Sequence, residues 1–138
     1  MEKILVADDE LEILGMIETI LKKEGYEVVA AKDGQEALNL AKAQKPDLIV
    51  SDYLMPNLNG AELCRALKKE SETKAIPIII VTAYPAEKER SLSAGAVDFI
   101  AKPVDKFDLL LRIRSALRVR HISNELQKII AYIAELEK

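Results

Sequence analysis

Residues 3–10 read KILVADDE, an apolar run that stops at three consecutive acids, Asp8, Asp9 and Glu10. An uninterrupted apolar run predicts a strand that is buried on both faces, because a half-buried strand alternates apolar and polar residues. Adjacent carboxylates repel each other by roughly 1 kcal/mol in water and by more near a protein interior. The acids therefore predict either a helix cap, with Asp9 and Glu12 as a capping box, or a site that holds positive charge.

The same succession of strand and helix repeats along the chain. Apolar and β-branched segments predict strands at residues 3–8, 26–31, 47–52, 77–82 and 97–101. Apolar residues at helical spacing predict helices at residues 10–24, 35–44, 61–70, 86–93 and from about 105 onward. Strict alternation gives right-handed crossovers and a parallel sheet. We therefore expect an α/β fold with a doubly wound, five-stranded parallel sheet and an extended C-terminal helix.

Composition excludes several classes of function. A length of 138 residues fits one domain, and 49% hydrophobic with 31% charged residues is an ordinary globular balance. The formal net charge of −3 does not suggest direct binding to nucleic acid. No apolar run approaches the ~20 residues that span a bilayer, and the N-terminus does not resemble a signal peptide. The single cysteine, Cys64, suits a reducing compartment, so we expect a cytoplasmic protein.

Polar residues stand where four of the predicted strands end. Asp8 and Asp9 follow the first strand, Asp52 ends the third, Thr82 ends the fourth, and Lys102 follows the fifth. Ligands of doubly wound sheets bind outside the carboxyl ends of the strands, so these side chains should converge. Carboxylates suit a hard divalent ion such as Mg²⁺, a carboxylate can attack phosphorus, and lysine and hydroxyl groups can stabilise phosphoryl oxygens. Each residue is a weak signal singly, but together they predict phosphoryl chemistry.

Four stretches carry a resemblance to a known family. They are ILVADDE at 4–10, DLIVSDYLMPNLNG at 47–60, IPIIIVTAY at 76–84 and AGAVDFIAKP at 94–103. Together they resemble the receiver domain of bacterial two-component response regulators, over about residues 3–118. The resemblance implies a flavodoxin-like, receiver-type (CheY-like) fold. It also implies a signalling phosphoprotein that catalyses only its own phosphorylation and dephosphorylation and is otherwise not an enzyme.

The resemblance implies roles for the acids at the strand ends. Asp52 would be the phosphoacceptor and would take a phosphoryl group from a histidine kinase or a phosphotransfer protein in a phosphorelay. Asp9 and Asp52 would ligate Mg²⁺ directly, together with the backbone carbonyl of Leu54. Asp8 would act on the ion mostly through water.

The resemblance also implies a switch. Thr82 would hydrogen-bond the phosphoryl group, Lys102 would pair with it, and the Lys102–Pro103 bond would be cis. Phe99, three residues before the lysine, would turn inward as Thr82 moves toward the phosphate, and the face between strand four and helix five would change. The alternative for Phe99 is an ordinary core aromatic.

Two positions near the path of the attacking water vary in the family and tune the lifetime of the phosphoryl group. In this chain they are Leu54 and Tyr84, which are bulky and do not readily orient water. We therefore expect slow hydrolysis of the phosphoaspartate.

Beyond a domain at residues 1–118, residues 119–138 predict a helical extension. Its apolar residues form a heptad seam of Val119, Ile122, Leu126, Ile129, Ile133 and Leu136. We expect a parallel coiled coil that links two chains and leads toward an effector domain in a longer protein. The alternative is that the seam folds back on its own domain.

Helix five also resembles family members that dimerise through the face between strand four and helix five. On that face, Lys88, Arg90, Asp98 and Arg112 are candidates for ion pairs between chains.

Three other classes of protein compete with this interpretation. A phosphatase of the haloacid dehalogenase type wants two acids separated by one residue, and Asp8 and Asp9 are adjacent. A flavodoxin wants a hydroxyl- or glycine-rich phosphate loop after strand one, where this chain has acids. The third is a receiver-like scaffold or dimerisation module that is never phosphorylated.

Overall fold

The computed structural model describes residues 1–137, so the last residue of the predicted extension, Lys138, lies outside the described part. The core is a parallel sheet of five strands in the order β2-β1-β3-β4-β5. The strands are β1 (Lys3–Ala7), β2 (Glu27–Ala31), β3 (Leu48–Asp52), β4 (Ile78–Thr82) and β5 (Asp98–Ala101). The predicted doubly wound parallel sheet is confirmed.

Five helices alternate with the strands, as the apolar spacing predicts. They are α1 (Leu11–Lys23), α2 (Gly34–Gln44), α3 (Gly60–Lys68), α4 (Pro85–Ser93) and α5 (Lys106–Leu136). The chain leaves α1 through Gly25, whose positive φ of 90° is cheap for glycine.

Both faces of the sheet are covered, which explains the continuous apolar strands. Successive residues of a strand point to opposite faces. Ile4 and Val6 belong to a core cluster that includes buried side chains of α1 and α5. Leu5 and Ala7 belong to a second cluster, with α2 and α3. Asp8, immediately after β1, is therefore the first polar residue beyond this buried apolar run.

The capping-box interpretation of Asp9 and Glu12 is wrong. The N-cap of α1 is Glu10, whose side chain makes no capping hydrogen bond. The carboxylate of Asp8 instead accepts a hydrogen bond of 2.9 Å from the backbone N–H of Glu10. The helix therefore begins one residue later than a cap at Asp9 would require.

Helix α5 has 31 residues and runs without a break from the sheet into the predicted extension. The six side chains of the heptad seam are between 49% and 67% exposed. The alternative in which the seam folds back on the domain is therefore not the arrangement observed. The guanidinium of Arg120 donates hydrogen bonds to the backbone carbonyls of Asp47 (2.6 Å) and Pro46 (3.3 Å), so the start of the extension is tied to the domain.

Among residues 1–137, no helix combines the length and apolarity needed to cross a bilayer.

Candidate functional site

Four of the predicted site residues lie where the strands end, at the carboxyl-terminal edge of the sheet, as expected. They are Asp8, Asp52, Thr82 and Lys102. The parallel register places the ends of the strands side by side, with Asp52 opposite Val81 and Thr82 opposite Ala101. Asp8, Asp52 and Thr82 are nevertheless only 2%, 3% and 4% exposed. Polar groups buried this deeply are costly unless other groups compensate for the lost water.

Asp52 and Lys102 form a direct ion pair. The Lys102 Nζ lies 2.8 Å from Asp52 Oδ1, and the backbone N–H of Tyr53 donates to the same carboxylate oxygen at 2.9 Å. Burial raises the pKa of Asp52, and Lys102 opposes that rise. Burial by itself would lower the pKa of Lys102, but its hydrogen bond and attraction to Asp52 raise it. The ammonium group is therefore fixed as a cation beside the carboxylate.

Asp8 is a buried carboxyl group whose pKa is raised to about 6, mainly because burial disfavours its charged form. Its hydrogen bond from Glu10 lowers the pKa, whereas the charge of Asp52 raises it. The two buried carboxyl groups therefore disfavour each other's charged form. A cation placed between them would offset that effect.

A divalent cation could be held by Asp8, Glu10 and Asp52. One carboxylate oxygen from each lies within 4.8 Å of the others. Hard oxygen donors of this kind suit Mg²⁺. The sequence interpretation did not name Glu10 as a candidate ligand, although it is the third acid after β1. Asp9 is exposed and is not in this group, but its charge raises the pKa of Asp52.

The hydroxyl of Thr82 makes its hydrogen bonds with residues at the start of α4 and not with Asp8 or Asp52. Its hydroxyl donates to Glu87 Oε1 at 2.6 Å and accepts from the backbone N–H of Tyr84 at 3.3 Å. The sequence interpretation also missed Glu87, which lies in the first turn of α4. Its spacing from Thr82 carries no recognisable motif.

Phe99 is half-buried and lies between two cations. The Lys88 Nζ is 4.0 Å from the centre of the ring, and the Arg112 guanidinium is 5.6 Å from it. The Lys102–Pro103 bond is cis, as the resemblance implies.

The ion pair between Asp98 and Arg112 lies within one chain. Arg112 Nη1 is 2.8 Å from both carboxylate oxygens of Asp98, and Arg112 Nε is 2.8 Å from Asp108. Pairs between chains at this face would therefore have to replace or extend an existing network.

Leu54 and Tyr84, two residues beyond Asp52 and Thr82 in the chain, have side chains that are 57% and 62% exposed. A groove of about 520 Å³ is lined by Glu10, Ile13, Met16, Lys102, Pro103 and Val104.

Comparison with known proteins decides the family. Residues 4–114 match the family model described as the response regulator receiver domain. The chain belongs to the response regulator receiver family. Among solved structures, this receiver domain is similar to a CheY-like receiver protein from Methanospirillum hungatei (33% identity, TM-score 0.83, covering 89% of this chain and 98% of that one). It is also similar to the chemotaxis protein CheY4 of Vibrio cholerae (35% identity, TM-score 0.79, 84% and 98%).

Curated relatives of the receiver domain are longer proteins. The chain is 46% identical over 119 residues to the probable transcriptional regulator ycf27 of Porphyridium aerugineum, covering 85% of this chain and 48% of that protein. It is 38% identical over 128 residues to the response regulator PleD of Caulobacter vibrioides, covering 91% and 28%. The chain therefore spans about half the length of the first relative and less than a third of the second.

Proposed function

We propose that this receiver domain accepts a phosphoryl group on Asp52 from a histidine kinase or phosphotransfer protein. The observation that carries the proposal is the buried Asp52 carboxylate with the Lys102 ammonium 2.8 Å away, at the edge where β3 ends. The carboxylate oxygen attacks phosphorus, and the bond from phosphorus to the donor nitrogen breaks. Lys102 stabilises the charge on the phosphoryl oxygens, and the only chemistry of the domain is its own phosphorylation and dephosphorylation.

We propose Mg²⁺ as the ion that makes this transfer possible. Asp8, Glu10 and Asp52 form a fitting set of oxygen donors. When bound, Mg²⁺ supplies the positive charge that lets a carboxylate accept an anionic group. Asp9 and the Leu54 carbonyl remain proposed ligands on the strength of the resemblance.

The two candidate ligand sets make different predictions for the affinity of Mg²⁺. If Asp9 is a ligand, Asp9→Asn weakens Mg²⁺ binding more than Glu10→Gln does. If the observed cluster is the binding arrangement, the order is reversed. Calorimetric titration with Mg²⁺ distinguishes them.

The partner docks beside the acids. The groove between α1 and the segment after β5 is lined in part by Lys102 and is largely apolar, and Met16 in its lining is exposed. A helix that carries the donor histidine would cover this apolar surface. We propose that the exchange takes place in the cytoplasm.

Phosphorylation then shifts the population between two conformations. Thr82 turns from Glu87 toward the phosphoryl oxygens, and Phe99 moves from beneath Lys88 into the interior. A cavity of about 130 Å³ lined by Thr82, Lys88 and Phe99, among others, offers space beside both side chains.

Hydrolysis of the phosphoaspartate is proposed to be slow, because Leu54 and Tyr84, the residues two positions after Asp52 and Thr82, are bulky and do not readily orient water. The half-life in purified protein is the test. Leu54→Ala and Tyr84→Ala should leave it unchanged or shorten it, and a short half-life that either substitution lengthens would contradict the proposal.

The signal leaves the domain through assembly. We propose a domain at residues 1–118 and a coiled-coil extension at residues 119–138 that joins two chains in parallel through the heptad seam. The face between β4 and α5 contributes to the homodimer if the pair between Asp98 and Arg112 is exchanged between chains, together with Lys88 and Arg90. The greater length of the relatives supports a further domain, which we propose to be an effector domain after the coil, and we propose no direct contact of this domain with nucleic acid.

Phosphorylation by acetyl phosphate with Mg²⁺ tests the proposed function. We expect the intact mass to rise by one phosphoryl group in the wild type and not in Asp52→Asn. Asp47→Asn is a matched control, because Asp47 precedes the same strand at its opposite end. A wild type that never accepts the group would support the receiver-like scaffold or dimerisation module instead.

A further inference from the structure

The hydroxyl of Thr82 donates a hydrogen bond to Glu87, a residue that has no role of its own in the proposed switch. Its oxygen lies 2.6 Å from Glu87 Oε1. An ionised carboxylate has no proton to give, so the threonine hydroxyl is the donor. A hydroxyl carries one proton, and this proton therefore cannot at the same time be donated to a phosphoryl oxygen on Asp52.

Glu87 is well placed to hold this bond. It lies in the first turn of α4, where the partial positive charge of the helix end favours a carboxylate. Its backbone carbonyl accepts a hydrogen bond of 2.7 Å from Ser91, one turn later. Because Thr82 is almost fully buried, the bond between them is partly shielded from water.

The next residue of the same turn contacts the second group of the switch. The Lys88 Nζ lies 4.0 Å from the centre of the Phe99 ring, a distance at which a cation is attracted to an aromatic face. One turn of α4 thus contacts both side chains that have to move. A displacement of this turn would release the two together.

We propose that Glu87 is a positioning residue that holds the domain in its resting conformation by competing with the phosphoryl group for the hydroxyl proton of Thr82. This inference rests on the proposed function and adds a residue to it. The bond exists only in the resting conformation, so its free energy enters directly into the equilibrium between the two states. Removing it raises the population of the active conformation and the apparent affinity for a phosphoryl mimic.

Titration with beryllofluoride in excess Mg²⁺, followed by calorimetry, tests the proposal. We expect Glu87→Ala to bind about 3- to 10-fold more tightly than the wild type, the range for a charged hydrogen bond that is partly exposed to solvent. Glu87→Gln should lie between them, because an amide oxygen still accepts the bond but carries no charge. Glu89→Ala is the matched control, since Glu89 is exposed on the same helix and has the same charge.

A second pair of variants separates this hydrogen bond from a general effect on α4. In a Thr82→Ala background there is no hydroxyl to hold, so adding Glu87→Ala should leave the affinity for beryllofluoride unchanged. A gain that persists without the hydroxyl would overturn the proposal. So would an affinity of Glu87→Ala and Glu87→Gln equal to that of Glu89→Ala.

The outcomes also distinguish this inference from the proposed function. If the wild type does not bind beryllofluoride, the proposed function itself fails. If the wild type binds it and the variants at Glu87 match the wild type, only the role of Glu87 fails. Thermal unfolding of each variant shows whether it is folded, and Glu87→Gln keeps the shape of the side chain if Glu87→Ala does not fold.

Discussion

The two halves of helix α5 have the same backbone and opposite surroundings. From Leu109 to Leu117 the helix buries a stripe of apolar side chains against the sheet. From Val119 onward its apolar side chains are exposed. The periodic apolar side chains of the first half pack within the domain, whereas those of the second half are left exposed to solvent. The comparison teaches that the same apolar periodicity occurs in a helix face that is buried in the core and in one that the domain leaves exposed.

The largest expected effect is on the buried half. Ile113→Ala should lower the free energy of unfolding by about 2–5 kcal/mol, because Ile113 is fully buried and its truncation leaves a cavity. Ile129→Ala, measured at a concentration where the chain is monomeric, should change it by less than about 0.5 kcal/mol. Urea titrations of both variants are the measurement. Equal losses would mean that the exposed half packs on the domain after all.

The next effect concerns the exposed half. Ile129→Glu places an uncompensated charge in the proposed interface, so we expect the dimer to weaken by about 2–4 kcal/mol, or roughly 30- to 1,000-fold. Gln127→Glu adds the same charge beside the seam and should leave assembly nearly unchanged. Light scattering with Mg²⁺, with and without beryllofluoride, measures the molar mass.

The wild type decides how assembly relates to phosphorylation. A monomer that becomes a dimer with beryllofluoride would show that the mimic controls assembly. A dimer in both conditions would assign assembly to the extension itself. A monomer in both would refute the coiled coil.

The third effect is a pH dependence of stability that arises from the acids at the sheet edge, within the packed domain. The pKa of Asp8 is about 6 in the folded protein and 3.8 as its ordinary value, so the folded state binds a proton more tightly. Below about pH 4 the Asp8 carboxyl group is protonated in both the folded and the unfolded state, so it does not lower the free energy of unfolding. As the pH rises through 6, the metal-free protein should lose roughly 1–3 kcal/mol of stability through this group.

Asp8→Asn isolates that contribution. The difference in free energy of unfolding between wild type and variant should grow in favour of the variant from pH 4 to pH 7, as measured by urea titration in a chelator. Added Mg²⁺ at pH 7 should stabilise the wild type more than the variant. A difference that does not change with pH would contradict the assignment.

The smallest expected effect lies at the junction of the two halves. Arg120→Ala removes two hydrogen bonds to backbone carbonyls and should cost about 1 kcal/mol. Small-angle X-ray scattering should also show a wider spread of directions for the extension. Arg118→Ala, an exposed arginine on the same helix, should change neither quantity.

Much of the fold and part of the site could be predicted from the sequence, for a physical reason. Apolar spacing and strand ends report which residues a parallel sheet brings to one edge, so the sequence predicts the location of Asp8, Asp52, Thr82 and Lys102, whereas their roles stay a prediction. Spacing along the sequence does not report which way a side chain points, and therefore does not report which residue of a neighbouring element it contacts. The bond from Thr82 to Glu87 depends on the direction of a threonine side chain across the start of α4.

Ion pairs at the face between β4 and α5 show the same limit. The sequence interpretation assigned Asp98 and Arg112 to contacts between chains, and in the single chain they pair with each other. Pairs between chains stay a prediction, because the partners of these charges depend on distances between elements that spacing along the sequence does not give. Membership of Glu10 in the acid cluster depends in the same way on distances in the folded chain, since its carboxylate lies within 4.8 Å of those of Asp8 and Asp52.

The unbroken course of α5 has a mechanical consequence. From Val119 to Leu136 the helix extends roughly 27 Å beyond the domain, at 1.5 Å per residue. A rod of that length acts as a lever arm, and a tilt of roughly 10° at its base would move its far end by about 5 Å. In the proposed switch, a small rearrangement around Thr82 and Phe99 would therefore become a large displacement at the far end of the helix.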